Sequence, residues 1–195
     1  MAAPPHSPGG AWIGSIFIAL ALLLLCSRAN ATERPFTLQV GGGVRTFNNQ
    51  VGLDDAPSFS LRAGLGMTDR ISLAIDAYYS STSRTNTGAS ANVEGLRGMV
   101  RASVLTGPTR PYAVLGGGAV NLDFRDAYGY SVGTVTGGIG VSRRIGPRKF
   151  VEVEGDLDFY RNRVISYDRY GFAARIGPYT ARHLSSVMLS IGYEF

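Results

Sequence analysis

Four carboxylates stand at every second position of one short segment: Glu152, Glu154, Asp156 and Asp158. Acids at close range can move protons for a substrate or bind a divalent cation through oxygen ligands. The i, i+2 spacing has a simpler cause, because alternate side chains of an extended strand share one face. On that reading the row is structural and needs cations, which Arg62, Arg97 and Arg101 can supply. A second constellation is His183-x-Ser185. A hydrolase could use Ser185 as nucleophile and His183 as base, with an acid orienting the imidazole. The only other histidine is His6, so histidine-based catalysis beyond the first residues depends on His183.

The segments that carry these residues read as strands. From Thr32 onward no helical-length window holds an apolar stripe at spacing three and four, whereas period-two alternation recurs. The first strand, 36–47, alternates Phe36, Leu38 and Val40 with Thr37, Gln39 and Gly41, and Gly41–Gly43 is a candidate bulge. The second sends Phe59, Leu61, Ala63 and Leu65 one way and Ser58, Ser60, Arg62 and Gly64 the other. The third sets Ile71, Leu73, Ile75 and Tyr79 against Asp76 and Tyr78. The fourth sets Leu96, Val100 and Val104 against Arg97, Met99 and Arg101. In the fifth, 112–124, the apolar face is Tyr112, Val114, Val120, Leu122 and Phe124, with Tyr112 and Phe124 about a bilayer's thickness apart along a tilted strand. The sixth, 134–145, shows Val135, Ile139 and Val141, and the seventh backs the carboxylate row with Val151, Val153, Leu157 and Phe159. The eighth alternates Val187, Leu189, Ile191, Tyr193 and Phe195 with Met188, Ser190, Gly192 and Glu194.

Connections near Thr68, Thr106 and Gly146 are short. Those over 48–56, 80–92, 125–131 and 161–181 are longer, and the last carries Arg161, Arg163, Arg169 and Arg175 among tyrosines.

The N-terminal region is of another kind. Residues 11–26 form an apolar run shorter than the roughly 20 residues a transmembrane helix needs. Ala29 and Ala31 then supply the small residues of a signal-peptidase site, so residues 1–31 are expected to be a cleaved signal peptide and 32–195 one domain. No Lys or Arg precedes the run, and Leu25 stands where a lipobox before Cys26 would carry a small residue. Cys26 is the sole cysteine, so the domain has neither disulfides nor thiolate-bound metal. Net charge is +5, and of 19 basic residues only Lys149 is lysine. No basic run or nucleic-acid signature accompanies the charge, so no nucleic-acid partner is expected, and the arginines read instead as interior partners and contacts to anionic lipid headgroups.

An apolar/polar strand ending on Phe195 resembles the terminal strand of bacterial outer-membrane β-barrels. The resemblance implies that Val187, Leu189, Ile191, Tyr193 and Phe195 form a signal read by the barrel-assembly machinery. Arg110-Pro111-Tyr112-Ala113 with Gly116–Gly118 is similar to the Pro-Tyr-Ala, glycine-rich strand of the small OmpA/OmpX-type family. Together these imply an all-β fold, an eight-stranded antiparallel up-and-down transmembrane β-barrel. Both termini and the short turns would be periplasmic and the long loops external, in the cell outer membrane, with no peptidoglycan-binding domain. A soluble sandwich or lipocalin-like barrel shares the alternation, which is symmetric under inversion of inside and outside.

In such a barrel Arg62, Asp76, Arg97, Arg101, Glu152, Glu154, Asp156, Asp158 and Glu194 face the lumen. Eight strands leave only enough width for side chains, so these charges are expected to pair and plug it. The rival is a charged constriction of a narrow porin-like channel. His183 and Ser185 share parity with Val187 and so face outer-leaflet lipid, a placement similar to the outer-membrane lipid A deacylases. Ser186 stands where that family has Asn, and no acid is well placed. The favoured function is therefore non-enzymatic: a surface-exposed structural or interaction protein, for adhesion or envelope integrity. It would need no cofactor or metal, and its partners would be outer-membrane lipid and lipopolysaccharide. The expected state is a monomer.

Overall fold

A computed structural model describes residues 35–49, 51–126, 129–167 and 173–195, with side chains outside 162–180. The expected leader and its Ala29/Ala31 cleavage site lie outside the described residues. The strands are β1 (Phe36–Phe47), β2 (Ala56–Gly66), β3 (Ile71–Ser83), β4 (Ser90–Ser103), β5 (Thr109–Phe124), β6 (Tyr130–Arg144), β7 (Lys149–Tyr167) and β8 (Ala173–Glu194). Each pairs antiparallel with its sequence neighbour, and β8 returns to pair with β1, closing the sheet. Closure leaves no unpaired backbone edge around the wall, the condition for a sheet to stand in hydrocarbon.

The outer wall is apolar. Val40, Phe59, Leu115, Ile139, Val153, Val187 and Leu189 are all more than half exposed, while Arg62, Asp76, Arg97 and Asp158 are buried inside. A soluble barrel would reverse this arrangement. An apolar belt over a charged interior belongs in lipid.

Three expectations are corrected. The apolar face of β5, expected on the lipid side, lines the lumen. Leu122 is 0% exposed and Tyr112 4%, whereas Leu115 on the opposite face is 67% exposed. Both faces of this strand are apolar, so alternation could not choose between them. Register does, because Gly118 lies opposite lumen-facing Arg97, and Gly116 opposite Thr136. No bulge occurs at Gly41–Gly43, since the ladders run unbroken from Phe36↔Leu65 to Arg45↔Ala56 and from Thr37↔Glu194 to Phe47↔Leu184. These glycines make room: a Cβ on Gly41 would meet Ser60 Oγ at 2.7 Å, and one on Gly43 would meet Met188 Sδ at 2.9 Å. Finally, the region 161–181 is no simple loop. β7 runs on to Tyr167 and β8 begins at Ala173, pairing with each other beyond the last contacts of β6 and β1.

The lumen fits part of its contents by placing glycine across from five large side chains. Tyr78 lies opposite Gly95, Tyr112 opposite Gly140, Phe150 opposite Gly192, Met99 opposite Gly116 and Asp156 opposite Gly138. In each pair an added Cβ would run into the facing side chain. The side chain thereby covers the bare backbone that glycine exposes.

Candidate functional site

The middle of the lumen is a charge layer. Asp76 on β3 lies directly opposite Arg62 on β2 and Arg97 on β4, so register alone makes an Arg–Asp–Arg row across three strands. Arg97 Nε donates to Asp76 Oδ2 at 2.9 Å. Across the barrel it donates to Asp156 Oδ2 at 2.6 Å and Asp158 Oδ1 at 3.2 Å. Arg62 forks onto both oxygens of Glu154, at 2.8 Å for the Nη1–Oε2 arm, and its Nε lies 3.4 Å from Asp76. Arg101 donates to Glu152 at 2.7 Å and lies 4.0 Å from the centre of the Tyr112 ring. Strand four and strand seven thus meet across the lumen, although they are not neighbours in the wall.

Five further side chains complete the layer. Arg45, 1% exposed, donates to Asp158 at 3.0 Å and lies 3.7 Å over the Tyr78 ring. Thr136 and Tyr78 donate to Asp158 at 2.5 and 3.3 Å, and Tyr112 donates to Glu154 at 2.9 Å. The Gln39 amide fits donating to Glu152 at 3.0 Å and accepting from Arg101 Nη1 at 3.1 Å. Arg45 was legible: it shares parity with Gln39, three two-residue steps along one face. Among the described residues the layer joins four guanidiniums to five carboxylates. Each acid of the β7 row accepts from an arginine, and among the described residues no group of three or more His, Cys, Asp or Glu is arranged to hold a metal ion. Glu194 lies apart from this layer. It pairs with Arg144 at 2.7 Å, half-exposed at the turn end.

Toward the loop end the lumen turns apolar. Phe47, Tyr78, Val93, Val120, Leu122, Tyr160 and Leu184 pack into one buried cluster, with Val51, Phe124, Tyr130 and Val132 against it. Val93, Leu122 and Leu184 are completely buried.

Above this plug three connections are clasped together. Asp54 accepts from Ser83 at 2.6 Å and from Thr85 at 2.9 Å, and its backbone N–H donates to Ser83 O at 2.9 Å. Arg84 donates to both oxygens of Asp126 at 3.1 Å, and Thr87 donates to Asp126 at 3.0 Å. The turn in the middle connection closes on Gly88, at φ 67°, whose N–H donates to Arg84 O at 2.8 Å. Hydrogen bonds from Ser83 and then Thr85 hold the Asp54 carboxyl below the ordinary aspartate range. Hydrogen bonding to Arg84 does the same for Asp126.

His183 and Ser185 sit on the outer wall of β8, but their partners differ from those a hydrolase requires. Ser185 Oγ hydrogen-bonds Thr46 Oγ1. His183 Nδ1 lies 3.5 Å from Asn48 Nδ2, and its ring packs on Phe159 at 6.3 Å. Among the described residues no carboxylate touches the imidazole. Val187, Leu189, Ile191, Tyr193 and Phe195 all point outward; Phe195 contacts the Phe36 and Tyr193 rings at 5.9 and 4.9 Å, and its N–H donates to Phe36 O at 2.8 Å.

Solved structures share this architecture. Neisserial surface protein A is 10% identical, with a TM-score of 0.58 over 83% of this chain and 97% of that one. The outer membrane protein OprG of Pseudomonas aeruginosa is 12% identical, with a TM-score of 0.60 over 83% and 95%. Ail of Yersinia pestis, solved in complex with the heparin analogue sucrose octasulfate, is 11% identical, with a TM-score of 0.53 over 84% and 100%. No curated protein matches the chain. The family model described as outer membrane protein beta-barrel domain matches residues 17–195. With its lipid-facing belt and closed eight-stranded wall, the chain belongs to the outer membrane protein beta-barrel domain family and resides in the cell outer membrane.

Proposed function

We propose that this protein is a non-enzymatic, surface-exposed barrel that acts in adhesion or envelope integrity through its external connections. The carrying observation is the apolar cluster that fills the outer half of the lumen beneath a clasped set of loops. A barrel closed this way offers the outside no channel, only a platform on which Asp54, Arg84 and Asp126 fix the geometry. Recognition by loops on a rigid scaffold is the usual division of labour in such folds. The partners that fit are outer-membrane lipid and lipopolysaccharide around the wall, and the barrel-assembly machinery during biogenesis. The closed wall and filled lumen suit a monomer that takes no nucleic acid.

The test is complementation of a deletion strain with the wild-type protein or with Arg84→Ala/Asp126→Ala. Surface attachment and resistance to detergent are read at equal amounts of the heat-modifiable folded band. Loss of either property in the clasp variant supports the reading, and retention of both removes the platform from it. The enzymatic rival is tested by lipid A mass spectrometry beside a His183→Ala control. Spectra are expected to be unchanged. Loss of one acyl chain that disappears in the control would make His183 and Ser185 catalytic.

A further inference from the structure

We propose that the periplasmic mouth of the barrel is a binding site for a small solute bearing a phosphate or carboxylate group. A cavity of about 560 Å³ opens at the turn end and is floored by the charge layer at Arg101, Tyr112 and Glu152. Its volume is within the range of small-molecule sites, roughly 300–1,000 Å³.

The wall over β4, β5 and β6 carries the recognition chemistry. Arg110 lies directly opposite Ser142, and Ser103 opposite Tyr112, one step along the same face from Arg110. These three side chains are therefore lumen-facing neighbours on adjacent strands. Arg110 Nε donates to Gly107 O at 2.8 Å, which anchors the guanidinium within its own turn. Its two terminal nitrogens have no protein partner among the described residues, and neither do the hydroxyls of Ser72, Ser103 and Ser142. Two of the other cations at the cavity are neutralised in place. Arg101 is paired with Glu152 and Arg144 with Glu194; among the described residues Asp69, Arg70 and Arg110 line the cavity without an ion pair, and Arg110 is the one of these set beside the Ser103 and Ser142 hydroxyls.

An anchored guanidinium with two outward donors matches the two oxygens of a carboxylate or phosphate, and hydroxyls beside it can donate to the remaining ones. The apolar plug closes the far end, so a solute enters and leaves from the periplasm only. The vestibule is then a capture site and not a stage of transport.

The test uses the folded barrel in zwitterionic micelles at low salt, titrated calorimetrically with inorganic phosphate and, separately, with acetate. One saturable site for at least one anion is expected, and the stronger of the two arms identifies the oxyanion. Arg110→Gln should weaken it at least about tenfold, since charge-assisted hydrogen bonds are lost. Ser142→Ala should weaken it a few-fold, whereas Arg84→Gln at the opposite end should leave it unchanged. If Arg110→Gln lacks the folded band, Arg110→Lys is read instead; it keeps the charge, loses the fork and should still bind more weakly. Absence of saturable binding for both anions, or binding unchanged by the Arg110 substitution, overturns the proposal. These outcomes are independent of the loop platform, whose failure would leave the vestibule untouched.

Discussion

Arg97→Met isolates what the lumen charges do, because methionine approximates the arginine stem and removes only the guanidinium. In the native barrel that group serves Asp76, Asp156 and Asp158. Two of these have other cations: Asp76 has Arg62 at 3.4 Å, and Asp158 has Arg45 at 3.0 Å. Among the described residues Asp156 has no other cation within 4 Å, so the substitution leaves one buried, unpaired carboxylate. At an effective dielectric near 20 and a charge separation of about 4 Å, each pair is worth about 4 kcal/mol before desolvation. Desolvation cancels much of that, but removing one partner leaves its cost standing, about 3–5 kcal/mol in comparable cases. Asp156→Asn alone should cost less, about 1–2 kcal/mol, since Arg97 keeps two acids. The double variant should recover about 2 kcal/mol of the Arg97→Met loss, the coupling a cycle detects for groups in contact. Urea titration in vesicles, read by far-ultraviolet circular dichroism and by the folded band on gels, measures all four proteins. An Arg97→Met loss below about 1 kcal/mol, or no recovery with Asp156→Asn, would refute the assignment of Asp156 as the orphaned charge.

Two glycines three positions apart on β4 separate lumen from lipid. Gly95→Ala drives a Cβ into the Tyr78 ring, which Arg45 and Asp158 hold in place, and should cost roughly 2 kcal/mol or more in the same unfolding assay. Gly98→Ala meets nothing within 4 Å and should lie within about 0.5 kcal/mol of wild type. The outer clasp should depend on pH in one direction. Asp54 and Asp126 are held below the ordinary value, so their contribution is fully present above the unfolded aspartate pKa of about 3.9 and is lost as pH falls through the lower folded values. The protection of the Thr85 and Gly88 amides, taken as exchange relative to an unfolded peptide at the same pH, should therefore hold from pH 7 to about 5 and fall below about 4, a fall that Asp126→Asn should shift or abolish.

Much of this barrel was legible in residue parity. On β2, β3, β4 and β7 one face carries charge and the other apolar bulk, so alternation and the need to pair buried charge placed Arg62, Asp76, Arg97, Arg101 and the carboxylate row together. On β5 the rule lost its purchase. Tyr112 and Leu122 on one face and Leu115 and Ala119 on the other are all apolar, and only the register to Arg97 and Thr136 decides between them. That ambiguity also hid the apolar plug, because an exterior-only role was assumed for residues that in fact fill the outer lumen. Arg45 was missed because the Gly41–Gly43 run suggested a bulge, although plain parity with Gln39 points it inward. The hairpin of β7 and β8 carries no strand signal of its own, because Val164, Ile165, Phe172 and Ile176 are mixed with Arg161, Arg163, Arg169 and Arg175 without the period-two alternation on which strand recognition rests. The outer clasp joins residues from three connections, a convergence that no local pattern encodes.

The sealed lumen is tested most directly by reconstituting the wild-type protein into planar bilayers in concentrated potassium chloride and recording current under an applied voltage. The close-packed cluster of Val93, Val120, Leu122 and Leu184 over a paired charge layer predicts silent membranes at protein densities where a known porin gives steps. Discrete conductance steps whose size changes with Arg97 or Arg101 substitutions would contradict it, and would make the charge layer a constriction in a pore.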